Sequence, residues 1–213
     1  MIIYSPTDGD ALMSTVKSMP QHCFLITKLG GEIPPELKRM RTEIARLCHK
    51  AQIKTIDATH HVTGRDVLIK IWRLIAATPI SIAVCHESFP PGTLANIYYE
   101  IGVAQAMGKE TLIVKSPGFT VASDLVRTEY IEFNDDFIGN FSKFLADLSE
   151  RADHYEMMAE QLERNPILSL DYLKRAFLIS GNTALRRRAK SLLAEVKKTD
   201  RAKNSVEVLA ASF

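Results

Sequence analysis

Ile80-Ser-Ile-Ala-Val-Cys85 is apolar at every position except Ser81, and it lies between two stretches of a different period. Ahead of it, Leu68, Ile71, Trp72 and Ile75 recur at three- and four-residue spacing, the stripe of a helix that rests one face on a core. Pro79 closes that helix, because proline lacks the amide that a further turn would use. Behind the strand, the loop His86 to Thr93 leads into a second helical stretch, Asn96 to Met107, which Gly108 stops. A strand that is apolar throughout must be covered on both faces. Amphipathic helices before and after it supply that cover, and the combination indicates a parallel sheet.

The same alternation extends outward in both directions. His22 to Thr27 (HCFLIT) reads as a buried strand, and Pro34-Pro35 then open a helix with Leu37, Met40, Ile44, Leu47 and Cys48 on one stripe. Ile53 to Ala58 (IKTIDA) is a second strand, and Thr63 with Asp66 forms a capping pair for the helix before Pro79. Thr111 to Lys115 and Glu129 to Phe133 supply a fourth and a fifth strand. From Phe137 the pattern is helical only: 137–164, 167–179 and 183–198, parted by Asn165-Pro166 and Gly181-Asn182. The expected architecture is α/β, a doubly wound and mostly parallel sheet of the flavodoxin-like kind over 22–136. An α-helical C-terminal region follows over 137–213, and an extension over 1–21 offers a short strand at Ile2 to Tyr4.

Composition narrows the class. With 46% hydrophobic and 24% charged residues, the 213-residue chain is neither collagen-like nor disordered. No apolar run is long enough for a membrane span, and with Asp8 and Asp10 before any Lys and no unbroken apolar core in the first twenty residues, a secretory leader is not expected. Three widely spaced cysteines give no disulfide framework, so a reducing cytoplasm and no membrane are expected. The net charge of +2 is a cancellation: 17 basic against 21 acidic residues up to Arg164, then 10 against 4. A mildly acidic body therefore carries a basic tail.

Ligands of an open parallel sheet bind beyond the carboxyl ends of its strands. Four loops lie there: Lys28–Glu32, Thr59–Arg65, His86–Thr93 and Ser116–Thr120. Gly30 and Gly31 allow backbone amides to approach a phosphate or ribose, although neither a GxGxxG nor a P-loop is present. Asp57, ending a strand before His60 and His61, suits ribose hydroxyls or proton transfer. Those three lack a further ligand at helical spacing, so neither a metal nor a cofactor is expected. Asn96 and Glu100 lie one turn apart, near the expected start of their helix, where the helix dipole favours an ionised carboxylate.

The segment Asn96-Ile-Tyr-Tyr-Glu100-Ile-Gly-Val-Ala-Gln-Ala-Met-Gly-Lys109 resembles the N-V-x-Y-E-L-G-x-A-x-A-x-G-K stretch of TIR-like nucleotide-binding domains, which are related in fold to the nucleoside 2-deoxyribosyltransferases. Gly64 to Ile75, Ile80 to Val84 and Phe24 to Lys28 are similar to that family's helix and strands, and the likeness covers about residues 22 to 135. The resemblance implies a nucleotide or nucleoside ligand, with NAD a candidate, and chemistry at an N-glycosidic bond. In it, Glu100 is the catalytic carboxylate and Asn96 its orienting neighbour, while Gly30, Gly31, Asp57, His86 and Tyr99 surround the ligand. His86 or Glu87 stands in for the Asp that the family often places at this strand end. The alternative is a non-catalytic module that senses a nucleotide or assembles with partners, including a homo-oligomer. Arg186 to Arg188, Lys190, Lys197, Lys198, Arg201 and Lys203 offer phosphate contacts to nucleic acid. No aromatic residues interleave with them, so a solvated cationic helix or a subunit contact is the expected role instead.

Overall fold

A computed structural model describes residues 9, 16–59, 67–125 and 128–196. Five parallel strands form one sheet in the order β2-β1-β3-β4-β5. They are β1 (His22–Ile26), β2 (Lys54–Ile56), β3 (Ile80–Cys85), β4 (Glu110–Lys115) and β5 (Tyr130–Glu132). The helices are α1 (Pro35–Lys50), α2 (Val67–Ala77), α3 (Pro91–Ala106), α4 (Phe137–Gln161), α5 (Pro166–Ser180) and α6 (Thr183–Val196). The doubly wound α/β fold with C-terminal helices is therefore present, with every strand pair parallel. The expected strand at Ile2 to Tyr4 and the Thr63–Asp66 cap lie outside the described residues.

Strand β3 carries the centre of the sheet. All six of its residues are buried, and it pairs over its whole length with β4 and over four positions with β1. The edge strands β2 and β5 are three residues each. Register assigns the two faces. Cys23 pairs with Ile80 and Ile80 with Glu110, so Cys23, Leu25, Ile80, Ile82, Val84, Leu112 and Val114 share one face. Cys23 meets Cys48 of α1, which places α1 on that face. The opposite face holds Phe24, Ile26, Ala83 and Cys85, and Tyr98 of α3 interacts with Cys85 there. Strand order reverses between β1 and β3, and right-handed crossovers then put α1 and α3 on opposite sides.

Two compact units divide the described residues: His22–Ala146, and the residues up to Gln21 together with those from Asp147 onward. The division falls inside α4. Phe137, Phe141 and Phe144 in its first half line up in the sheet unit, with ring centroids 5.3 and 6.1 Å apart. The helical unit has a core of its own in Ala159, Leu170, Leu173, Ala176, Phe177, Leu185 and Ala189. The basic side of α6 borders that core: Arg188 donates to Glu160 at 2.9 Å, and the Arg186 guanidinium lies over the Phe177 ring. Basic residues beyond Val196 lie outside the described residues.

Gly181 ends α5 in the left-handed region at φ 69°, donating its amide to Phe177 O. The Gln21 amide donates to Leu178 O at 2.8 Å, so a segment from before the sheet caps this helix end. Gly181→Ala is expected to lower the melting temperature, costing about 1–2 kcal/mol of left-handed strain. Far-UV circular dichroism during heating measures it; an unchanged melting temperature would refute the strain. Among the described residues, no helix is long and apolar enough to cross a membrane.

Candidate functional site

Three loops meet at the carboxyl edge around the point where strand order reverses. His86, immediately after β3, is only 5% exposed yet fully hydrogen bonded. Its Nδ1 accepts from the Ser88 hydroxyl at 2.8 Å and the Ser88 amide at 3.1 Å. That leaves Nε2–H to donate to Glu36 Oε2 at 3.2 Å. Glu36 belongs to the first turn of α1, the helix that follows β1, so one imidazole bridges the loops on either side of the reversal. Glu87 Oε1 is 3.9 Å from the same Nε2. Its other oxygen accepts from the Ser116 hydroxyl beyond β4, and this bond, with lesser help from its own backbone and His86, holds its carboxyl below the usual range. Among the described residues, neither Glu36 nor Glu87 forms an ion pair with Lys or Arg.

Beside this cluster, a groove of about 660 Å³ runs between α1 and the segment joining β5 to α4. Glu36, Arg39, Thr42, Phe133, Phe137 and Ile138 are among its lining residues. The Arg39 guanidinium lies 5.7 Å from the Phe133 ring centroid, a cation–π contact between two of the lining residues. The volume falls within the roughly 300–1,000 Å³ of small-molecule sites. Glu36 thus faces both the groove and His86.

The residues expected from sequence divide between two places. Helix α3 begins at Pro91, behind the Pro90 cap, and not near Thr93–Asn96. Two prolines start it early, since neither needs to donate in a first turn. Asn96 and Glu100 are therefore in the second and third turns, Glu100 about 14 Å along the axis from Pro91 at 1.5 Å per residue. The helix dipole acts within the first turn and does not hold Glu100 ionised. Burial does the opposite, pushing its carboxyl up to about 7. No hydrogen bond or ion pair involves Glu100 among the described residues. Asn96 and Tyr99 are exposed on the same helix, and Tyr98 is half-buried with its phenol raised by burial, then by Cys85.

Helix α3 covers the sheet face opposite to α1, so Glu100 is across the sheet from the groove. Asp57 is engaged elsewhere: it pairs with Arg41 at 2.5 Å and its Oδ1 accepts the Thr59 amide. Gly30 and Gly31 both take left-handed φ, 78° and 66°, which shapes the turn after β1. His60 and His61 lie outside the described residues. Burial raises the Cys85 thiol to about 12, which removes it as a nucleophile. The sequence reading missed Glu36, Ser88 and Ser116. A carboxylate in the first turn after β1 was the available signal for Glu36, since that turn borders the strand-order reversal. Comparison with family models, curated proteins and solved structures finds no match for this chain.

Proposed function

We propose that the sheet domain binds a nucleoside- or nucleotide-type ligand at its carboxyl edge, in the groove beside His86 and Glu36. The groove is the observation that carries this reading, because it combines an arginine–phenylalanine pair with hydrogen-bond acceptors in a space of suitable size. A base stacks on the Arg39–Phe133 pair, and the Glu36 carboxylate accepts from sugar hydroxyls. Lys38 and Arg39 supply positive charge for a phosphate.

Cleavage of the N-glycosidic bond is a second reading, supported by a separate observation. Glu100 is a half-buried carboxyl without a partner among the described residues, and one that ionises near neutral pH serves as general acid or base. A neutral nucleoside needs its departing base protonated, whereas the nicotinamide of NAD leaves without a proton. A protonated Glu100 therefore favours neutral nucleosides over NAD. Its place across the sheet from the groove favours the binding module over the enzyme.

Calorimetric titration with adenosine, uridine, their monophosphates and NAD tests the first reading. Binding by at least one, weakened about tenfold or more in Phe133→Ala, is expected; no binding by any would sink it. Chromatography for free base tests the second. If base is released, Glu100→Gln is expected to slow release about 100-fold or more while ligand still binds. Ligand bound without release identifies a sensing module.

A further inference from the structure

Glu36, His86 and Glu87 bring one ligand atom each to within 4.8 Å of one another, although 50 residues separate Glu36 from His86. We propose that they bind a divalent transition-metal ion of the zinc class. Nε2 of a buried imidazole and two carboxylate oxygens form a borderline nitrogen–oxygen donor set suited to Zn²⁺ or Co²⁺. The ion's two charges balance the two carboxylates, which no Lys or Arg neutralises among the described residues. Three protein ligands leave at least one position open, as in reactive zinc sites.

The surrounding groups fit that use. Metal at Nε2 moves the ring proton to Nδ1, so binding turns the Ser88 hydroxyl, 2.8 Å away, from donor to acceptor and gives up the 3.1 Å bond from the Ser88 amide. The Ser116 hydroxyl holds the second oxygen of Glu87 and so orients the first. A further observation comes from β1. The Thr27 hydroxyl is buried, with the residue 8% exposed, and has no hydrogen-bond partner among the described residues. Thr27 continues the alternation of Cys23 and Leu25 onto the α1 face, the face where Glu36 meets His86. Because Glu36 also lines the groove, the open positions of the ion border the space given above to the nucleoside.

Metal binding is independent of the nucleoside reading and is measured without nucleoside present. The full chain, stripped with chelator and dialysed, is titrated with Zn²⁺ by calorimetry and with Co²⁺ by visible absorption. One equivalent should bind, with a cobalt spectrum of low coordination number. Glu36→Gln and His86→Ala should each weaken binding more than about 100-fold, beyond the 10–100-fold of outer-shell partners. Glu87→Gln provides the same test on an exposed side chain that folding does not require. Ser88→Ala should cost about tenfold. Phe133→Ala should leave metal binding unchanged. Absence of saturable binding, or equal binding by the Glu36, His86 and Glu87 variants, would overturn the site.

Discussion

Phe24→Ala will destabilise the sheet unit by about 3–5 kcal/mol, the cost of a large ring removed from a core that collapses only in part. Phe24 is 1% exposed on β1, and its backbone pairs with Ile56 of β2 and Ser81 of β3. Neither neighbour can move inward without breaking a ladder. Trp72 is the single tryptophan of the chain and belongs to α2 in the same unit, so its fluorescence in a urea titration reports this transition. A midpoint unchanged in Phe24→Ala would show that β1 is not the core strand described.

Glu100→Gln will stabilise the protein at alkaline pH and have almost no effect in acid. The folded carboxyl ionises near 7 against 4.5 for the free group, so the folded state holds its proton more tightly. Stability is therefore greatest below about 4.5, falls as pH rises towards 7, and levels off above it. The shift alone corresponds to about 3 kcal/mol, and water reaching the half-buried group reduces this to about 1–2 kcal/mol. Melting temperatures of both proteins from pH 4 to 9 measure it. The gap should open between about pH 5 and 8; parallel curves over that range would refute the burial argument.

The fold was largely legible in the sequence because its signals are local. Ile80 to Cys85 is apolar throughout, and its neighbours change period within a few residues. Helix starts were less legible. Asn96 looked like the opening of α3, but Pro90-Pro91 tolerate a first turn as well as any polar cap does. The site was legible only in part, for a different physical reason. His86 follows β3 and was identifiable as a strand-end residue. Glu36 meets it only because β1 and β3 are adjacent in the sheet while 50 positions separate the two side chains. No spacing rule reaches that far. The division of α1 and α3 between opposite faces likewise depends on strand order, and it separates Glu100 from the groove.

The length of the outermost strands has a consequence for assembly. Sheets grow by recruiting another chain onto their unpaired amides and carbonyls, and the strength of that recruitment scales with the run on offer. Here each border offers only three residues, Lys54–Ile56 on one side and Tyr130–Glu132 on the other. Among the described residues, a second copy gains few hydrogen bonds at either border, a short edge of the kind that discourages edge-to-edge pairing.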